Sequence, residues 1–314
     1  MPPRIRKTLT GLGWAAIAIG VWSGSLVMLR LGVTTHLNAY DLTMLRFGVA
    51  SVILLPVALR RGLGTDRLGF GGVLALIGLF GAPYVLLLSL AMTTAPAAAA
   101  GALNPGVMAV SSVLLGRLVL GDRIGGIRMA GLALAMSGIV WLTSSGGGVT
   151  PGHLILTGTG IMWALYALVV RSAGVPALNA AAIVAVGSAM LYLPLYTFAL
   201  PHALSSAPMT DILMQAGFQG VLVSVVAIYA FNRSAELLGP VAGATLPALI
   251  PAVTLALGAV LLGETVSIEE AAAAILVTLG LALILVGRQA RQWLRDRTQA
   301  PSRRSLMRSS RDAG

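Results

Sequence analysis

The chain has no cysteine, which excludes a disulfide framework and any thiolate metal site. Its three histidines, His36, His153 and His202, are scattered along the sequence, so no cluster replaces the missing thiols and no metal or other cofactor is called for. Charge is sparse as well. Only 10% of the 314 residues are Asp, Glu, Lys or Arg, against about a quarter in ordinary soluble domains. With 57% hydrophobic residues and a mean hydropathy of +0.91, too little polar surface is left to cover a water-soluble globule. Aromatic residues make up 5%, and the basic residues behind the net charge of +11 are neither interleaved with them nor gathered on one folded face. Nucleic acid is therefore excluded as a partner.

What remains is apolar sequence in long uncharged runs. No Asp, Glu, Lys or Arg lies between Arg67 and Arg117, between Arg128 and Arg171, or between Glu236 and Glu264. Each gap holds one or two membrane spans of about 20 residues. Breaks at Gly, Pro and charge predict ten spans. In the first half these are Gly11 to Val33, Leu42 to Leu59, Phe70 to Met92, Ala97 to Leu118 and Gly125 to Leu142. In the second they are Gly152 to Val170, Leu178 to Ala199, Ile212 to Phe231, Val241 to Leu262 and Ser267 to Val286. The first run is too long for a signal-peptide core and ends in no small-residue cleavage site, so it reads as a retained span.

Basic residues fall on alternate connections. Arg4, Arg6 and Lys7, then Arg60, Arg61 and Arg67, then Arg117, Arg123 and Arg128, then Arg171, Arg233 and the tail arginines share one side. The loops around His36, Thr93, Gly147, His202 and Val266 carry no Lys or Arg. The positive-inside rule predicts a multi-pass protein with both termini cytoplasmic and an even number of spans. The segment from Arg288 to Gly314 holds eight arginines among Pro, Ser and Gln, and reads as a disordered cytoplasmic tail drawn to anionic membrane lipid.

The two halves repeat. Gly11, Trp22 and Arg30 recur at the same spacing as Gly152, Trp163 and Arg171. Gly101-Ala102-Leu103-Asn104-Pro105 precedes Leu120-Gly121-Asp122 as Gly243-Ala244-Thr245-Leu246-Pro247 precedes Leu262-Gly263-Glu264. A weaker match links Gly69-Phe70-Gly71-Gly72-Val73-Leu74 with Gly217-Phe218-Gln219-Gly220-Val221-Leu222. Five spans per half is an odd number, so the second half enters the membrane from the opposite face. An inverted repeat is the sequence sign of alternating access. Two readings compete with transport. A membrane-embedded enzyme would need a nucleophile and base or a metal cluster at membrane depth, and none is found. A non-transporting structural subunit would be a duplicated scaffold without a polar cavity.

The order and spacing of these motifs resemble the EamA domain pairs of the drug/metabolite transporter superfamily, a group of ten-span bacterial carriers. The residues that carry the resemblance are Trp22-Ser23-Gly24-Ser25, Leu45-Arg46-Phe47 and Leu120-Gly121-Asp122 in the first half. In the second they are Trp163-Ala164-Leu165-Tyr166, Tyr229 to Ala235, and Leu262-Gly263-Glu264-Thr265. The resemblance implies two inverted five-helix repeats, residues 1–145 and 146–287, followed by the tail 288–314. It also implies secondary transport, export or exchange, of amino acids and related small metabolites across the bacterial inner membrane. Asp122 departs from the usual Glu of the motif but keeps its charge. The reading leaves room for a homodimer.

Candidate substrate contacts follow from polarity within spans. Trp22 and Trp163 lie near mid-span, where an indole N–H needs a partner. At equivalent repeat positions they either face each other across a central cavity, near Ser23, Ser25 and Tyr166, or pack between helices. Arg46, a turn inside its span, is suited to a substrate carboxylate, the alternatives being an ion pair with Asp41 or a lipid headgroup. Pro105, Pro247 and Pro251 are expected to break helices and free carbonyls, with Asn104 beside one break. Tyr84 and Tyr229 complete the candidates. Ser89, Tyr192, Tyr196, Gln219 and Ser224 are further polar positions within spans. No acid lies near mid-membrane, so no buried carboxylate relay for proton coupling is visible.

Overall fold

A computed structural model describes residues 3–145, 148–238 and 246–299. Every regular element among them is helical, as expected where lipid offers backbone groups no hydrogen bonds. The elements are α1 (Pro3–Thr34), α2 (Ala39–Arg61), α3 (Thr65–Phe80), α4 (Ala82–Ala91), α5 (Ala97–Leu120) and α6 (Gly126–Ser145). They continue with α7 (Pro151–Ala173), α8 (Ala177–Ala199), α9 (Met209–Gln215), a π-helical stretch (Ala216–Val226) and α10 (Ala227–Leu238). A 3₁₀ turn (Leu246–Leu249), α11 (Ile250–Leu262) and α12 (Ile268–Gln299) follow.

Nine helices or helix groups among the described residues are long and apolar enough to cross a membrane, and Pro247–Leu262 is a shorter apolar helix. The expected span from Val241 thus starts outside the described residues. Its described part opens as a 3₁₀ turn, because Pro247 and Pro251 each lack the N–H that an α-helix uses. The last span, expected to end at Val286, continues as α12 to Gln299. The beginning of the segment expected as a disordered tail is therefore helical, and residues 300–314 lie outside the described residues.

The expected third span is two helices. At Gly81 an added Cβ would collide with Ser188 Oγ and the Ile77 carbonyl, so only glycine fits between α3 and α8. Pro83 then opens α4, and the Ala82 amide donates to Ser188 Oγ at 3.0 Å. Pro105, by contrast, does not end its helix, and α5 runs through it. One proline removes a single helical hydrogen bond. Thr254 packs onto bare Gly101 beside it.

Packing relies on small residues, as is usual between membrane helices. α6 and α12 lie together with Gly131, Gly138 and Gly280 at backbone contact, where a Cβ on Gly131 would sit 2.8 Å from the Gly280 carbonyl. α1 packs on α10 and α11, whereas α7 packs on α3, α4 and α5. α2 lies along α8, and α5 crosses α11. The start of α2 is fixed by Asn38 and Asp41, whose side chains each accept the other's backbone N–H. Fully buried Asp41 also accepts the Tyr196 hydroxyl at 2.6 Å and the Ala203 amide at 3.2 Å. The carboxylate is thereby committed to loop closure and is not the partner of Arg46.

Candidate functional site

Arg46 of α2 faces the π-helical stretch and α4. Its guanidinium donates to Gln219 Oε1 at 3.4 Å, and Gln219 Nε2 donates to the Ser25 carbonyl at 3.0 Å. Gln219, fully buried, comes from the π-helical stretch. An i→i+5 turn carries an extra residue and is frequently found at functional positions. Close approach makes this possible, since a Cβ at Gly220 would sit 2.5 Å from Val49 of α2, and one at Gly24 would meet the Phe218 ring at 2.9 Å. The Ser25 hydroxyl bonds the Trp22 carbonyl at 2.8 Å within its own helix, so its backbone oxygen, not its hydroxyl, joins the network.

Tyr84 of α4 lies within electrostatic range of Arg46. Its hydroxyl donates to Asn104 Oδ1 at 2.9 Å, and Asn104 Nδ2 donates to Thr159 Oγ1 at 2.8 Å. All three are buried. Phe80, at the end of α3, stacks on Tyr166 with centroids 4.4 Å apart and lies 4.8 Å from Tyr84 and 5.7 Å from Trp163. The aromatic and polar groups thus form one surface built from α3, α4, α5 and α7, next to Arg46.

The remaining candidates stand apart. Trp22 pairs with Phe231 of α10 at 5.3 Å, as Trp163 pairs with Phe80. Ser23 Oγ reaches the Ile250 carbonyl, 3.4 Å away at the start of α11. Tyr229 is exposed and packs edge-on against Trp14 at 5.5 Å. Trp163 lines a cavity of about 400 Å³ that ends among Asp122, Arg123, Arg128 and Arg171. Trp22 is not among its lining residues. Sequence reasoning missed Phe80 and Thr159, and it treated Gln219 as a secondary polar position.

The two ends of the bundle carry ion pairs at equivalent places. Arg171, at the end of α7, bonds Asp122 Oδ2 at 3.2 Å. Arg30, near the end of α1, lies 3.6 Å from Glu264 Oε1 and donates to the Met92 carbonyl. Each acid follows a left-handed glycine, Gly121 at φ 66° and Gly263 at φ 65°, which only glycine adopts without strain. Each amide returns to a glycine carbonyl, Asp122 to Gly116 at 3.0 Å and Glu264 to Gly258 at 3.3 Å.

The sequence matches the EamA-like transporter family over residues 9–144 and again over 150–286. It is 30% identical over 300 residues to the uncharacterized protein PA1977 of Pseudomonas aeruginosa, covering 93% of this chain and 99% of that one. Similarity to the uncharacterized transporter YyaM of Bacillus subtilis is 23% over 251 residues, 75% of this chain and 81% of the relative. A protein crystal structure 22% identical in sequence superposes with a TM-score of 0.61, covering 90% of this chain and 98% of the other, and shares its fold. The chain, a multi-pass membrane protein with two matching segments, belongs to the EamA-like transporter family.

Proposed function

We propose that the protein is a secondary transporter that exports a small polar metabolite bearing a carboxylate, such as an amino acid, by alternating access. The observation that carries the reading is the setting of Arg46. A guanidinium has five donors, and this one has a neutral carboxamide at 3.4 Å and no ion pair to an acid among the described residues. A carboxylate accepted there would gain a charge-assisted, two-pronged contact. Tyr84, Asn104 and the Phe80–Trp163–Tyr166 aromatics would contact the rest of the solute.

Two inverted repeats, 1–145 and 146–287, are part of the proposal. In support, helix contacts exchange when spans of the first half are replaced by those of the second: α1 with α10 and α11 matches α7 with α3, α4 and α5. α2 against α8, α5 against α11 and α6 against α12 map onto themselves. The alternation of basic loops supports cytoplasmic termini in a bacterial inner membrane.

Uptake of labelled amino acids into proteoliposomes tests the reading. Arg46→Lys should weaken transport by removing the planar fork, and Arg46→Gln should abolish it while the protein still inserts. Undiminished transport by Arg46→Gln at normal expression would return Arg46 to a packing role.

A further inference from the structure

We propose that Arg30–Glu264 and Arg171–Asp122 are the two gates of the transport path, related by the internal repeat and closing in alternation. Both pairs are formed in this structure, Arg30–Glu264 at 3.6 Å and largely shielded from water, Arg171–Asp122 at 3.2 Å in the wall of a cavity. The inference rests on the transporter reading above and adds roles for four charged residues outside the central site.

Equivalence comes first. Arg30 follows Trp22 by the same eight residues that separate Arg171 from Trp163. Asp122 and Glu264 end the same Leu-Gly-acid turn. Each arginine therefore reaches the acid of a span in the other half: α1 meets the end of α11, and α7 meets the end of α5. Since consecutive spans run in opposite directions, one pair lies at each end of the bundle. Ion pairs that tie the moving half to the other at both ends, rather than within one half, are placed to resist opening at either end.

Their states differ. Arg30 and Glu264 side chains are 25% and 15% exposed, against 51% and 29% for Arg171 and Asp122. Glu264 Oε1 also accepts the first amide of α5, Ala97 N, at 3.0 Å. It thus rests on a helix N-terminus, where negative charge is favoured. Arg30 reaches across to the end of α4 through the Met92 carbonyl. Four elements are joined at that end. At the other end the 400 Å³ cavity has Asp122 and Arg171 in its wall and runs to Trp163, which is about 12 Å along α7 at 1.5 Å per residue. Although the Arg171–Asp122 contact is the shorter, 3.2 Å against 3.6 Å, the same interaction is worth more where water is excluded, so the Arg30–Glu264 end is the firmer and the cavity opens at the other. Reversing the two burials would give the opposite-facing state.

The Cys-free chain allows a direct test. Ala167 lines the cavity, and Leu26 holds the equivalent repeat position in α1. In purified protein without solute, a charged maleimide should label Ala167→Cys faster than Leu26→Cys. Adding Glu264→Gln should raise the Leu26→Cys rate and lower the Ala167→Cys rate, each by roughly three- to tenfold. Adding Asp122→Asn should move both rates the other way. Arg30→Gln should reproduce Glu264→Gln, giving a second route should either variant fail to fold, and Glu264→Asp should restore the parent pattern. Rates that rise together at both cysteines, or that do not respond, would overturn the proposal. Labelling involves no solute, so failure of uptake in proteoliposomes counts against the transport reading separately.

Discussion

Two spans depart from the α-helix in opposite ways. The third stops at Gly81 and restarts as α4, whereas the eighth stays continuous from Met209 to Leu238 but over-widens into a π-helix between Ala216 and Val226. Both devices serve the same end. Stopping puts Phe80 on one side of the break and Tyr84 on the other, so both rings reach the site beside Trp163. Widening turns Gln219 so that one carboxamide serves both Arg46 and the Ser25 carbonyl. Spans at matching places in the two family-matched segments therefore present different chemistry, aromatic on one side and amide on the other.

The strongest way to break this comparison is Gly81→Ala. The methyl group would meet the Ile77 carbonyl and Ser188 Oγ, and overpacking of this kind costs about 1–3 kcal/mol or more. The thermal midpoint in detergent should fall by several degrees, while Gly78→Ala, with nothing within 4 Å of its Cβ, should leave it unchanged. Equal midpoints for the two would mean that the break is not sterically required. Next in size is Gln219→Leu, which deprives Arg46 of its hydrogen bond. Losing a bond to a charged group is worth about 1.5–3 kcal/mol, and uptake should drop roughly ten- to a hundredfold at normal expression. Uptake at the parent level would detach the π-helical stretch from the site. The smallest effect is expected of Tyr229→Phe. Its ring meets Trp14 at the edge and its hydroxyl has no hydrogen-bond partner among the described residues, so stability and uptake should change by less than about 0.5 kcal/mol equivalent. A larger loss would restore Tyr229 to the substrate contacts.

Much of the fold was legible because lipid imposes one rule on every span. Charge gaps marked the spans, and the Leu-Gly-acid motif marked turns that prove left-handed at Gly121 and Gly263. Phe80-Gly81-Ala82-Pro83 contains the residues of a helix break, yet Gly and Pro are also common inside intact membrane helices, as Pro105 shows. The π-helical stretch has no local signature, since it depends on Val49 and Ser25 of other spans. In the site, Tyr84, Asn104, Trp163 and Tyr166 were found from polarity at depth. The partner of Arg46 was not, because Gln219 lies 173 residues away and single-sequence spacing says nothing at that range. For the same reason spacing does not reveal that Arg30 joins Glu264.

Asp41 sets an order on synthesis. It closes the start of the second helix with donors from Tyr196 and Ala203, which lie 155 and 162 residues later in the chain. At about 5–20 residues per second, a ribosome reaches them only after about 8–30 seconds. Until then a carboxylate destined for full burial has only the Asn38 pair and water to satisfy it. The start of the second helix is thus finished by residues of the second half, and its last hydrogen bonds form only when that half arrives.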